Sequence, residues 1–266
     1  MIQNKNSGRV DLEKSIHHFA AEGFQAESEA YERGRPEYPT DAVDHLIREL
    51  KITSQSVVVD LGAGTGKLTK MLTQRGVNVI AIEPVEGMRK KLKQVLPDIE
   101  MIDGTAEKIP LQSESVDAVV VAQAFHWFDG DKAIPEIHRI LKPNGKLGLI
   151  WNARDETTPW VAQLSEILDE YENGAPRYKS GNWKKAFDQM KLFKPFQENH
   201  FKYLQQGDLN LILDRVGSIS FIASLPSDEK NHVLQRISEL VKKEMYQSKS
   251  SIVTLPYRTD VYVSEK

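Results

Sequence analysis

Residues 57–72 read VVVDLGAGTGKLTKML. Three valines lead into Asp60 and Leu61, with no polar face along the run. Such a run is a strand covered on both faces, as in a parallel sheet flanked by helices. Gly62, Gly64 and Gly66 then alternate with small residues. A backbone this bare turns tightly and lets a ligand approach the main chain. The segment GKLTKMLTQRG that follows has helical periodicity and stops at Gly76. In an open α/β sheet the ligand site lies beyond the carboxyl ends of the strands, and this loop stands there.

Outward from the loop the same alternation continues. Strands are predicted at 56–61, 77–83, 99–103, 115–123 and 146–151, with helices at 86–97 and 132–145, the latter containing a proline and ending in the turn KPNG. Upstream, a helix over 15–34 runs into RGRPEYP, where two prolines forbid helix. Thr40 or Asp41 then caps a helix reaching Leu50. Downstream, 153–195 is polar, helical and aromatic-bearing. A sixth strand is predicted at 196–205, two helices after it, and a last strand within 251–266. The fold class is therefore α/β: a Rossmann-like, seven-stranded, mostly parallel sheet with an antiparallel last strand, helices on both faces and a helical cap.

The chain has 266 residues and a formal charge of −3. That balance disfavours nucleic acid as a partner. It has no cysteine, which excludes disulfides, thiolate metal sites and cysteine nucleophiles and suits a reducing compartment. No apolar run approaches a membrane span, and the start lacks a signal pattern, so a cytoplasmic protein with no membrane partner is expected. No metal site is expected. His17 and His18 are adjacent rather than one helical turn apart, and Asp129 and Asp131 suit a helix cap. Oligomeric state is not legible.

Three ligand classes use a glycine-rich turn after a first strand. Nucleoside triphosphates need GxxxxGK[ST], which fails because Leu68 follows Lys67. Dinucleotides want GxGxxG, whereas this loop is GxGxG and Asp60 stands before it, where it would repel a pyrophosphate. S-adenosylmethionine offers an ammonium, a ribose and no phosphate. Glu83, at the end of the second strand, suits the two ribose hydroxyls; the alternative for Glu83 is a helix N-terminal charge.

VVVDLGAGTGKLT, then IEP, then DGTAEKIPLQSESVDAVVVAQAFHWF resembles the class I S-adenosylmethionine-dependent methyltransferases, in their type 11, small-molecule branch. YERGRPEYP, AQAFHWF, IWNARD and LPYRTDVYV are similar to trans-aconitate methyltransferase-like proteins, over roughly residues 24–266. The resemblance implies S-adenosylmethionine as cofactor, a small-molecule methyl acceptor and four regions: an N-terminal segment, 1–39, folding over the cofactor; the binding core, 40–152; a helical insertion, 153–195; and a C-terminal completion of the sheet, 196–266.

It also implies roles for particular residues. Asp60 holds the ammonium; Gly62, Ala63 and Gly64 approach the methionine part; Glu83 takes the ribose and Pro84 flanks the adenine. Thr105 and Ala106 reach the adenine edge, although Thr105 stands where many relatives have aspartate and Asp103 is two residues earlier. Arg35, with Tyr31 beside it, is the candidate cation for the methionine carboxylate; a rigid turn with a solvated arginine is the alternative.

Gln123, His126 and Trp127 follow the fourth strand and are the catalytic candidates. Gln123 binds cofactor or acceptor, His126 acts as a general base or is structural, and Trp127 walls the acceptor pocket or belongs to the core. Asn152 is a similar edge position. Trp160, Tyr171, Tyr178 and Trp183 either lid the acceptor cavity or pack a cap, and Arg258 is a candidate for the same cavity. The expected activity is methyl transfer, with carboxyl O-methylation of an organic acid as the leading reaction. A non-catalytic cofactor-binding module and a nicotinamide-dependent oxidoreductase are the alternatives.

Overall fold

The computed structural model describes residues 34–266. Tyr31, the two adjacent histidines and most of the N-terminal segment therefore lie outside the described residues.

Seven strands form one sheet: β1 (Val57–Leu61), β2 (Asn78–Ile82), β3 (Glu100–Ile102), β4 (Val116–Ala122), β5 (Leu141–Arg154), β6 (Gln197–Gly207) and β7 (Val253–Glu265). Their order is β3-β2-β1-β4-β5-β7-β6. Pairs β1/β2, β1/β4, β2/β3 and β4/β5 are parallel, and β5/β7 is antiparallel. The expected Rossmann-like mixed sheet is thus present. Strand order reverses between β1 and β4, so the ligand crevice of such a sheet falls at their carboxyl ends.

Two apolar layers cover the sheet, and the strict alternation of side chains sorts residues between them. Val58, Val120, Ile150 and Val261 join one layer, with Val43 and Leu46 of α1 (Thr40–Glu49) and Leu68 and Leu72 of α2 (Lys67–Thr73). Val59, Val119, Val121, Leu149 and Trp151 join the other, with Ile134 and Ile137 of α4 (Gly130–Ile140). The second layer also takes Trp183 and Phe187 of α6 (Trp183–Met190). Helix α3 (Glu86–Val95) stops two residues before Pro97.

Several boundaries differ from the sequence reading. The N-cap of α1 is Pro39, in extended conformation, whose carbonyl accepts from Ala42 and Val43 (3.1 and 3.2 Å); Thr40 is already helical. Strand β5 begins at Leu141, directly after α4, and absorbs KPNG. Its pairing with β4 jumps from Val116↔Leu141 to Ala118↔Lys146, and Asn144 takes the left-handed φ that lets the extra residues bulge. Asp129 does cap α4, its side chain accepting from Asp131 N at 3.2 Å.

The chain divides into two compact units. One holds 36–155, 176–205 and 255–266; the other holds 156–175 and 206–254, with Arg35. The helical material expected as one insertion at 153–195 is therefore split. Residues 176–190 belong with the sheet because Tyr178, Trp183 and Phe187 are core side chains of its second layer. The other unit packs α5 (Pro159–Asp169), α7 (Leu209–Gly217), α8 (Ser220–Ala223) and α9 (Ser227–Ser248). Leu164, Leu168, Ile212, Val216, Val233 and Ile237 are buried in it, and Arg236 of α9 grips Glu170 through two bonds (2.6 and 2.7 Å).

Candidate active site

Asp60 is the penultimate residue of β1, in register with Ala81 on one side and Val120 on the other. It lies in the middle of the sheet and is fully buried. Thr69, buried on α2, donates its hydroxyl to Asp60 Oδ2 at 2.6 Å. Oδ1 is buried with no hydrogen-bond partner among the described residues. Burial pushes the Asp60 carboxyl up to about 7, against the opposing bond from Thr69. A buried carboxylate oxygen with nothing to accept from is costly in isolation, and a bound cationic donor would relieve it.

The glycine loop is tied to the end of β2. Gly62 and Ala63 both donate to Ile82 O, at 2.8 and 3.1 Å. Glu83, just past β2 and buried, accepts from Gly64 N through Oε2 and from Val85 N through Oε1, each at 2.9 Å. Burial raises the Glu83 carboxyl, opposed by those two amide bonds and by Arg89. Each oxygen keeps a second lone pair for a further donor. Glu83 therefore both receives the start of α3 and braces the loop.

The glycines differ in what they are for. A Cβ on Gly62 would stand 2.9 Å from Ala124 Cβ and 3.3 Å from the Phe128 ring, and one on Gly66 would stand 2.9 Å from Leu92 Cγ. Those two admit neighbouring side chains. Gly64, at φ +59°, would meet only Met88 Sδ at 3.8 Å. The open space in the loop is thus over Gly64, whose amide is aimed at Glu83. Pro84 and Ala63 are half-buried beside it.

On the neighbouring loop, Asp103 is committed to Arg89 by two bonds (3.1 and 2.9 Å), and Arg89 also reaches Glu83 O at 2.8 Å. Thr105 forms a one-residue bridge with Lys108, and Ala106 is part of the core.

At the end of β4, Gln123 takes a left-handed φ of 54°, an uncommon state for a non-glycine residue and one often found at working sites. Its Nε2 donates to Asn152 O at 3.1 Å. Asn152 is itself fixed, donating to Glu37 O (2.9 Å) and accepting from Thr259 (2.6 Å). A short 3₁₀ turn, Phe125–Trp127, follows. The Trp151 indole N–H donates to His126 Nδ1 at 3.3 Å. An indole is only a donor, so Nδ1 is the acceptor and the neutral ring carries its proton on Nε2. Trp127 is half-buried with its ring 5.2 Å from that of His126. Because Ala124 and Phe128 press on Gly62, the structure brings this turn against the glycine loop.

Other expected residues are placed elsewhere. Arg35 belongs to the second unit, where its Nη2 donates to Ser218 O at the carboxyl end of α7 (2.9 Å), a terminus that favours a cation. Tyr178 stacks on Trp151 at 4.6 Å and Trp183 is buried beside both, so these two rings pack against the core, the second of the two alternatives. Trp160 is buried on α5. Thr69, Arg89 and Trp151 were not read as site residues. Thr69 had a signal, an internal hydroxyl on the buried face of α2; Arg89 reads as an ordinary basic residue of a polar helix, and Trp151 reaches His126 from another strand.

A methyltransferase domain model matches residues 59–149, from Val59 in β1 to Leu149 in β5. An uncharacterized methyltransferase of Mycobacterium tuberculosis is 40% identical over 86% of this chain and 90% of its own length. An uncharacterized methyltransferase-like protein of Schizosaccharomyces pombe is 37% identical over 91% and 95%. The chain is a member of the S-adenosylmethionine-dependent methyltransferases. The YcgJ protein of Bacillus subtilis shares the fold, with a TM-score of 0.57 at 17% identity, over 86% of this chain and 99% of that one. Membership implies S-adenosylmethionine as methyl donor, and the orphaned Asp60 oxygen, the open Gly64 and the braced Glu83 fit that group.

Proposed function

We propose that this methyltransferase acts on a small molecule and transfers the methyl group to a carboxylate oxygen. The observation that carries the reading is the bond from the Trp151 indole to His126 Nδ1. It occupies the only nitrogen at which neutral His126 could take a proton, so the ring at the end of β4 is a donor rather than a base. A carboxylate is ionised at neutral pH and needs no base, whereas a phenol or an amine gains from one.

S-adenosylmethionine, when bound, supplies a methyl group activated on a sulfonium with a neutral thioether as leaving group. Asp60 would balance its ammonium and Glu83 would accept from its ribose. Gly62, Ala63 and Gly64 would take its methionine part, and Pro84, Thr105 and Ala106 its adenine. Gln123 fixes the edge over which the acceptor lies, Trp127 walls it from water, and His126 presents Nε2–H to the acceptor. Orientation and exclusion of water then do most of the work. The acidic overall charge and the absence of cysteine support a metabolite rather than a nucleic acid, in the cytoplasm. Among the described residues no helix is long and apolar enough to cross a membrane.

The test is incubation with methyl-labelled S-adenosylmethionine and fractionated metabolites, followed by base. Label released as methanol supports a methyl ester. Label retained on product means ether, nitrogen or carbon methylation and overturns the carboxylate reading.

A further inference from the structure

Asp60 is assigned to the ammonium above, and one buried side chain outside that assignment touches it. From β1 the chain runs through Gly62, Gly64 and Gly66 into α2 and meets the same carboxylate again at Thr69. Asp60 and Thr69 are both 0% exposed. The Thr69 hydroxyl donates to Asp60 Oδ2 at 2.6 Å, a length usual for a hydroxyl bonded to an ionised carboxylate. That bond closes the glycine loop from strand to helix. The loop between is held separately: Gly62 and Ala63 by Ile82 O, Gly64 by Glu83, and Gly66 against Leu92.

A threonine inside a helix commonly turns its hydroxyl back to the carbonyl one turn earlier. Thr69 instead spends its one hydroxyl proton on Asp60. Branching at Cβ restricts its χ1, so the donor is aimed rather than swinging. The carboxylate that results is asymmetric. Oδ2 is engaged, and Oδ1 is the oxygen with no partner among the described residues. A freely turning carboxylate would present either oxygen; with Oδ2 tied to α2, Oδ1 is the one left for a cationic donor. The same neighbours bear on ionisation. Burial opposes the charge, the Thr69 hydroxyl favours it, Glu83, the other titratable group facing Asp60, opposes it, and the Thr69 backbone amide favours it. Deleting the hydroxyl removes the stronger of the two favourable contacts.

We propose that Thr69 is a positioning residue for the methyl donor: its hydroxyl ties down Asp60 Oδ2 so that the carboxylate presents Oδ1 to the ammonium. The inference rests on the assignment of Asp60 to that ammonium. Thr69 acts through Asp60 and not on the donor itself. The signature of the site in the sequence then extends from Asp60 through the glycines to Thr69.

The experiment is calorimetric titration with S-adenosylhomocysteine from pH 5.5 to 8.5, on the wild-type chain, Thr69→Val and Thr69→Ser. Thr69→Val keeps the branched shape and the backbone amide and deletes the hydroxyl. Its rise of affinity with pH is expected to move up by about one unit, so that affinity falls about tenfold at pH 7 and less than about threefold at pH 8.5. Thr69→Ser keeps the donor and returns the profile to within about threefold of wild type at every pH. A loop brace with no bearing on the carboxylate would instead cost the same factor throughout, so a Thr69→Val profile parallel to wild type overturns the inference. The Asp60→Asn background has no buried charge to strand and folds even where Thr69→Val alone does not. There, adding Thr69→Val costs about threefold or less at every pH, and a larger further loss overturns the positioning role. A Thr69→Val profile that overlies a pH-dependent wild type overturns this inference alone. A wild-type affinity that does not change with pH overturns the assignment of Asp60 as well.

Discussion

Two aspartates of this sheet are equally buried and oppositely provided for. Asp60, on β1, has one hydroxyl donor, an oxygen with no partner among the described residues, and a carboxyl that burial pushes up to about 7. Asp260, on β7, has an arginine fork, a histidine and a tyrosine on the same two oxygens. The first is incomplete among the described residues and suits a positive group from a ligand. The second is complete and passes its constraint to Arg258. A buried carboxylate alone therefore says little; which of its lone pairs are filled separates a ligand contact from a strut.

The contrast is tested most strongly at the loop. Glu83 braces Gly64 and, as proposed, accepts from the ribose, so Glu83→Ala should weaken S-adenosylhomocysteine binding about 100-fold, or about 2.7 kcal/mol. Asp260→Ala should leave that affinity within about threefold. Calorimetry on both variants decides it; equal losses would erase the distinction between the two edges.

Stability should show the reverse order. Asp260→Ala leaves Tyr178 and the buried rings around it without their acceptor, at an expected cost of about 2 kcal/mol in urea unfolding. Asp60→Asn removes a charge that the apo fold holds at a loss, and should stabilise the ligand-free chain at pH 8. A destabilised Asp60→Asn chain would mean that Thr69 alone satisfies the carboxylate.

The sign of the pH dependence sharpens the same point. The folded carboxyl of Asp60 sits near 7 against an ordinary 3.8. The ligand-free chain then binds more protons than the unfolded one between those values. Its stability from this group declines as pH rises from about 4 to about 7 and is flat above. Binding of a cationic ammonium favours the ionised form. Affinity for S-adenosylhomocysteine should therefore rise about tenfold per pH unit below 7 and level off above, and Asp60→Asn should flatten the profile. A wild-type profile already flat from pH 5.5 to 8 would remove Asp60 from the ammonium site.

The two edges also differ in how far the sequence discloses them. The β1 edge is local: strand, Asp60, glycines and Glu83 fall within 27 consecutive residues, and burial on both faces makes each strand a readable apolar run. The β7 edge is assembled from Tyr178, Glu198, His200, Arg258, Asp260 and Tyr262, which no short pattern links. Strand β6 reads as an almost wholly polar QENHFKYLQQG, and its two members of the cluster look like ordinary surface. Tyr178 and Trp183 carry the same ambiguity. An aromatic residue near a helix has one sequence signature whether it closes a cavity or fills a core, and only the stacking on Trp151 separates the two. KPNG reads as a turn because asparagine and glycine tolerate left-handed backbone, yet a bulge inside β5 exploits the same tolerance.

The smallest expected effect concerns the residue between the edges. If His126 only orients the acceptor through Nε2–H, His126→Gln should change the turnover rate by about threefold or less. The glutamine carbonyl can accept from the Trp151 indole in place of Nδ1, and its amide can stand in for the lost donor. Loss of a general base would instead cost about 10²–10⁴-fold. The pH profile gives an independent reading, because a base acting from the neutral ring adds a break near its own titration, while a carboxylate acceptor is ionised well below it. A fall of a hundredfold in His126→Gln, with that break lost from the profile, would show that the proton leaves through Nδ1 and that the indole bond opens during turnover. The acceptor would then be a phenol, alcohol or amine rather than a carboxylate.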